Sequence, residues 1–325
     1  MNNEAIAHKS QYKLDWRISL LERLLNLFKP IEQMSLEELR LLSERPIPSI
    51  IQSIFAGKKF ELTQVISRNI PGRHGQIPIR LYYPSVKTSL PLILFFHGGG
   101  WVYGNFQTYE QMCRRIAHNT GAIVLAVGYR LAPFAKYPLA LEDCYDAFLW
   151  ASENAASIKA NPKQIIIMGD SAGGNLATAV CLMAKEQGNK SIASQILLYP
   201  VTSGKLDQPS MEQHAAAPLL TKSRMECFVN YYARDEADIS QPYFSPLLAE
   251  DLSHLPPALI ITCEYDPLHD QAQMYAQRLQ EAGTPVELVD YKGMIHGFMS
   301  FPVFCRQAIP AFEKVTGYVN AIMSI

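Results

Sequence analysis

Four short stretches of this sequence hold residues whose types and spacing suit acyl transfer through a serine nucleophile. Gly169-Asp170-Ser171-Ala172-Gly173 fits the pattern G-x-S-x-G, and Gly174 follows it. The apolar run Ile165–Met168 leads straight into it, and a helical pattern from Asn175 to Gln187 follows. A serine on so sharp a strand-to-helix turn sits on strained backbone, and side chains on its neighbours would collide with adjacent elements. The helix that begins there aims its amide dipoles at the serine and at any oxyanion formed beside it. Alone, the pentapeptide also fits a plain Gly/Ser turn between a strand and a helix, so its weight depends on what else the chain supplies.

It supplies three partners. His97-Gly98-Gly99-Gly100-Trp101 follows the apolar run Leu92–Phe96, and successive glycines are expected where backbone must come close to something. Amide groups of Gly99, Gly100 and Ala172 would form an oxyanion hole there. A phosphate-cradling loop is excluded, because neither G-x-x-x-x-G-K-[ST] nor G-x-G-x-x-G is present. His97 is expected to hydrogen-bond the loop rather than act as a base. That role falls to His296, in Gly293-Met294-Ile295-His296-Gly297 after the last apolar run. Glu264-Tyr265-Asp266-Pro267-Leu268-His269-Asp270 offers three carboxylates to orient it. Asp266 is preferred, since Pro267 fixes a turn directly after it, and an acid at Asp270 is explained by a helix dipole alone. The chain order Ser171, Asp266, His296 is that of an α/β-hydrolase triad.

The elements that must position these residues alternate along the chain. Phe60–Ile70 and Ile77–Tyr83 are β-rich, and the turn cluster Pro71-Gly72-Arg73-His74-Gly75 between them predicts an antiparallel hairpin. Strands are then expected at Leu92–Phe96, Ile123–Val127, Ile165–Met168, Gln195–Tyr199, Ala258–Thr262 and Val286–Tyr291, with amphipathic helices between them and a last helix over about 305–323. This pattern predicts an α/β fold with a mostly parallel eight-stranded sheet flanked by helices. Before it, Leu14, Ile18, Leu21, Leu25 and Phe28 recur at helical spacing, and Ser35-Leu36-Glu37-Glu38 is a capping box that starts a second helix ending before Pro46. Between Pro200 and Ala258 the rhythm breaks, with a helical piece near Thr221–Tyr232. Such a length is poorly suited to a bare loop and predicts an inserted subdomain. The expectation is one domain over 1–325, with a helical cap from about 1–56 and 201–245 on a catalytic core of 57–200 and 246–325.

Composition sets the outer bounds. A formal net charge of −1 and no Lys/Arg block argue against nucleic-acid binding and against attraction to anionic membranes. No run approaches the ~18–20 apolar residues of a spanning helix. Met1–Ser10 lacks the apolar core of a secretory signal. The six cysteines are scattered without a CxxC pair, which suits small buried hydrophobes better than metal or disulfide chemistry. The chain is expected to be cytoplasmic, with a small-molecule ester as its partner and no metal or organic cofactor. A homodimer is left open.

These motifs, with Tyr129-Arg130-Leu131-Ala132-Pro133 and His296-Gly297-Phe298, resemble the hormone-sensitive-lipase family of α/β-hydrolases, which includes many bacterial carboxylesterases. The resemblance runs from about Leu92 to the carboxyl end. It implies triad roles for Ser171, Asp266 and His296, an oxyanion hole at Gly99, Gly100 and Ala172, and a helical cap over the site. His97, Gly98, Gly169, Asp170, Gly173 and Gly174 support the two motifs. One position departs: where the family usually has glutamate after the proline, this chain has Phe134, so a buried Arg130 would need another partner, with Asp143 as the candidate. Two other readings stand beside ester hydrolysis: a receptor on the same fold, which would typically have lost a triad member, and a triad enzyme that cleaves amides or lactones.

Overall fold

The apolar runs become strands of one eight-stranded sheet, in a computed structural model that describes residues 12–44 and 49–324. β1 (Gln64–Gly72) and β2 (Gly75–Tyr83) form the expected antiparallel hairpin. The first of these begins four residues later than the β-rich composition suggested. β3 (Leu90–Phe96), β4 (Ile123–Val127), β5 (Ala160–Asp170), β6 (Ile192–Leu198), β7 (Ala258–Tyr265) and β8 (Val286–Ile295) follow. They are ordered β1-β2-β4-β3-β5-β6-β7-β8, parallel from β4 onward.

The alternation of side chains along β3 shows why its composition is apolar throughout. Leu92, Leu94 and Phe96 pack with Leu141 and Phe148 of α5 (Leu139–Glu153) and Leu176 of α6 (Ala172–Glu186). Ile93 and Phe95 point the other way, into a cluster with Met112 and Ile116 of α4 (Glu110–Thr120) and Phe312 of α11 (Ala308–Met323). A strand covered by helices on both faces has no side on which a polar residue is free to sit. The same arrangement leaves the carboxyl ends of β3, β5, β7 and β8 at one edge, where Gly98, Ser171, Asp266 and His296 emerge.

The amino-terminal helices differ in detail from expectation. α1 (Trp16–Leu25) starts where the Asp15 carboxylate accepts the Arg17 amide at 2.9 Å. Its Ile18 and Leu21 are fully buried, but they pack into the sheet-face cluster that holds Tyr199 and Met299, whereas Phe28 is 62% exposed and lies beyond the helix. Leu14 and Leu25 are partly buried against the same cluster, so of the predicted stripe Phe28 alone lies at the surface. α2 (Leu36–Glu44) is opened by the capping box: the Ser35 amide donates to Glu38 at 2.7 Å and the Glu38 amide to Ser35 Oγ at 3.2 Å. The predicted stop at Pro46 lies outside the described residues. A third helix, α3 (Ser49–Ala56), stands where the sequence reading placed no element.

The stretch before β7 is structured, with α7 (Pro209–Gln213), α8 (Lys222–Tyr232) and α9 (Glu236–Ile239). α10 (His269–Glu281) connects β7 to β8. Among the described residues, no helix is long and apolar enough to cross a membrane.

Candidate active site

Ser171 occupies the turn between β5 and α6 with φ 54° and ψ −120°, a conformation unfavourable for a residue with a side chain. The backbone is pinned there: the Ser171 amide donates to Leu198 O at 2.9 Å, and the Val201 amide donates to Ser171 O at 3.1 Å. The flanking glycines let main chains touch. A Cβ on Gly169 would lie 2.1 Å from Gly173 O, and one on Gly173 would lie 2.0 Å from Phe96 O. Either clash would push α6 away from the sheet.

The structure brings the three predicted side chains into one line. His296 Nε2 is 2.8 Å from Ser171 Oγ, and His296 Nδ1 is 2.8 Å from Asp266 Oδ2. All three are buried. With Nδ1–H donated to the carboxylate, Nε2 is the acceptor for the serine hydroxyl. Asp266 is itself fixed, its Oδ1 accepting the Leu268 amide at 2.8 Å and its Oδ2 facing the Cys263 thiol at 3.4 Å. Its neighbours are occupied elsewhere: Glu264 accepts the Gly293 amide at 2.7 Å, and Asp270 accepts the Ser210 amide at 2.8 Å. Tyr199, which sequence reasoning passed over, packs edge-on against the His296 ring with centroids 5.0 Å apart.

The glycine loop lies beside this line. Gly99 and Gly100 have φ 108° and 61°, and the Gly99 carbonyl accepts the amides of Val102 and Tyr103. His97 is buried, stacks on Tyr129 and has Nδ1 2.8 Å from Gly98 O, so it braces the loop. Burial pushes its pKa down to about 4, which keeps the ring neutral. Asp170 ties loop to turn, with Oδ1 accepting the Gly98 amide at 2.8 Å and Oδ2 accepting the Tyr109 hydroxyl at 3.0 Å. Burial pushes that carboxyl up to about 7 despite both hydrogen bonds. Gly98 has no room for a side chain, since its Cβ would lie 2.7 Å from Asp170 Oδ2.

Arg130 meets Asp143 as expected, through Nε at 2.8 Å and Nη2 at 2.8 Å. The expectation of a buried arginine is corrected, however: its side chain is 37% exposed, and only the Asp143 side is enclosed. Phe134 is exposed too, so this position never faces the arginine's partner from within a core. His214 is buried against Tyr12 and Tyr265. His269 lies 3.2 Å from Asp270 and 3.3 Å from Asp290, whose carboxylates hold its pKa above the usual histidine value.

A cavity of about 360 Å³ opens over Ser171 and His296. Its walls include Leu25, Phe28 and Leu42 from the amino-terminal segment, Leu219 and Phe228 from the insertion, and Tyr103. Arg224 of α8 also lines it, paired with Glu32 at 3.0 Å, which joins the insertion to the amino-terminal segment. The turn at Ile31–Gln33 is thereby tied to α8. Among the described residues, no group of three His, Cys, Asp or Glu side chains could hold a metal ion.

A strained serine at a β5–α6 turn, a histidine after the last strand and an acid after β7 define a class, and residues 93–300 match the family described as the alpha/beta hydrolase fold. The chain belongs to that family, in its hormone-sensitive-lipase-like branch. It is similar to carboxylesterase NlhH of Mycobacterium tuberculosis, 38% identical over 74% of this chain and 76% of that protein. It is likewise similar to the arylesterase of Saccharolobus solfataricus, 39% identical over 71% of this chain and 76% of the relative. Among solved structures, the Pyrobaculum calidifontis esterase superposes with a TM-score of 0.86 at 34% identity, covering 95% of this chain and 99% of the other.

Proposed function

We propose that the protein is a serine carboxylesterase that cleaves short- to medium-chain carboxylic esters through an acyl-enzyme. The observation that carries this reading is the unbroken Ser171–His296–Asp266 line, at 2.8 Å in each step, on the floor of a mainly apolar cavity. His296 takes the hydroxyl proton as Ser171 Oγ bonds to the ester carbonyl carbon. Amides of Gly99, Gly100 and Ala172 stabilise the resulting oxyanion, each contributing about 10²–10³ in rate. The carbon–oxygen bond to the alcohol then breaks, and the alcohol leaves with the proton from His296. Water, deprotonated by the same imidazole, releases the acid and restores the serine. Asp266 fixes the tautomer and stabilises the imidazolium throughout.

In this reading the amino-terminal segment to about 56, with 201–245, forms the cap, and 57–200 with 246–325 forms the core. The cavity walls contributed by Leu25, Phe28, Leu219 and Phe228 support that division. Six free cysteines, five of them buried, suit a reducing compartment such as the cytoplasm. Steady-state hydrolysis of p-nitrophenyl butyrate tests the proposal. Ser171→Ala should remain folded and lose on the order of 10⁴–10⁶ in kcat. A variant that kept a tenth of the parent's rate would show the chemistry to lie elsewhere.

A further inference from the structure

The cavity over Ser171 has two chemically unlike walls. One presents Leu25, Phe28 and Phe228, whose side chains offer only apolar contact. The other, from the segment that opens α4, presents Gln107, Thr108 and Gln111. Thr108 donates its hydroxyl to Asn105 Oδ1 at 3.0 Å and Gln107 has a partner of its own, so Gln111 is the member of that wall whose polar group calls for a ligand.

Gln111 is the informative member. It is 8% exposed, it lines the cavity, and its Oε1 has no hydrogen-bond partner among the described residues. Its neighbours on the helix are committed. Glu110 accepts from Arg80 at 3.0 Å, Tyr82 at 2.9 Å and Arg114 at 2.6 Å, and Arg114 also donates to Phe60 O at 3.1 Å. A buried acceptor left unpaired is penalised, and Oε1 is shielded from the cavity that the rest of the Gln111 side chain lines. The terminal torsion of a glutamine is soft, so a modest turn brings Oε1 to a ligand.

We infer that Gln111 is a specificity-determining residue, and that the preferred substrates are esters with one hydrocarbon arm and one arm bearing a hydroxyl that donates to Gln111 Oε1. This rests on the ester-hydrolase reading above. Recognition of this kind discriminates more sharply than packing does, because the analogue without the hydroxyl leaves the buried oxygen unpaired, whereas an apolar pocket distinguishes chains only by their size.

Three matched esters test it on the full chain: ethyl butyrate, ethyl 3-hydroxybutyrate and 2-hydroxyethyl butyrate, with acid release followed by pH-stat. In the parent, at least one hydroxylated ester should show a kcat/KM about 10-fold above that of ethyl butyrate, and the favoured one identifies the arm that meets Gln111. In Gln111→Met, which keeps the side-chain length, that ratio should fall to about 1. Gln111→Leu provides the same readout if the methionine variant fails to give a cooperative melt. Two hydroxylated esters no better than ethyl butyrate in the parent would overturn the inference while leaving the esterase reading intact. So would a ratio that survives in a folded variant. A folded parent that cleaves p-nitrophenyl butyrate but none of the three would also overturn the inference, and one that cleaves none of the four would overturn the esterase reading with it.

Discussion

Three carboxylates crowd the end of β7, and each has a different partner. Asp266 meets His296, Glu264 holds the Gly293 amide, and Asp270 receives the Ser210 amide. Asp266→Asn should therefore lower kcat by on the order of 10³–10⁴ through the wrong imidazole tautomer, with little change in KM. Asp270→Asn should lower kcat less than about 10-fold, since its work is to tie α10 to α7. Steady-state kinetics on both variants decides, and a reversed order would mean the acid is misassigned. Asp170 yields a second prediction, from pH. Its carboxyl titrates near 3.8 when unfolded and at about 7 when folded, so the folded state binds the extra proton between those values. Its contribution to stability is present below pH ~4 and is lost as pH rises toward ~7. His97 acts in the opposite sense. Its folded pKa of about 4 lies below the ordinary 6.5, so its contribution is lost as pH falls from ~6.5. Asp170→Asn keeps an acceptor for the Gly98 amide and removes the first slope alone. Its melting temperature should gain on the parent's between pH 5 and pH 8, and a difference independent of pH would contradict the burial argument. Ser171, Asp266 and His296 were legible in the sequence because glycines and proline mark sharp turns after apolar runs. Tyr109 and Tyr199 were not, since nothing in their spacing tells a tyrosine that braces a site from one that fills a core.

Strands and loops carry these groups, and here the glycine loop and α8 act as one piece. Gly100 has φ 61°, and a Cβ there would lie 2.3 Å from the Phe228 ring. Trp101 continues the contact, stacked on Tyr232 with centroids 4.6 Å apart. Gly100→Ala must displace either the glycine loop, with the amides proposed to face the oxyanion, or α8. It should lower kcat/KM by on the order of 10² and reduce the melting temperature. Gly121→Ala is the control: its φ is 70° but nothing lies within 4 Å of the added carbon, so about 1 kcal/mol of stability should be lost with activity unchanged. Equal losses of activity in the two would show that backbone strain alone, and not the contact with Phe228, matters at Gly100. The strands were readable because both faces of β3 are covered and leave an unbroken apolar run. α3 was missed, since its eight residues follow a proline-rich stretch and carry no cap signal strong enough to announce a helix.

At the scale of the whole molecule, the amino-terminal segment has two jobs that its single apolar stripe conceals. Ile18 and Leu21 anchor it in the core beneath, while Leu25 and Phe28 reach the cavity. Periodicity shows that a face is apolar and not what it will meet. Phe28 is 62% exposed, so truncating it opens the cavity without hollowing the core. Phe28→Ala should raise the octanoate-to-butyrate ratio of kcat/KM on p-nitrophenyl esters about 5-fold; an unchanged ratio would remove this segment from the acyl wall. The central claim is that Ser171 attacks an acyl carbon, and phosphonylation probes that step directly. A p-nitrophenyl alkylphosphonate presents a tetrahedral phosphorus that accepts Ser171 Oγ and expels p-nitrophenolate, stopping the reaction at its first covalent stage. Intact-protein mass spectrometry should find one phosphonyl group per chain, matched by one equivalent of p-nitrophenolate, mapped by peptide sequencing to Ser171 and lost in Ser171→Ala. An adduct on any other residue, or undiminished labelling of that variant, would contradict the account.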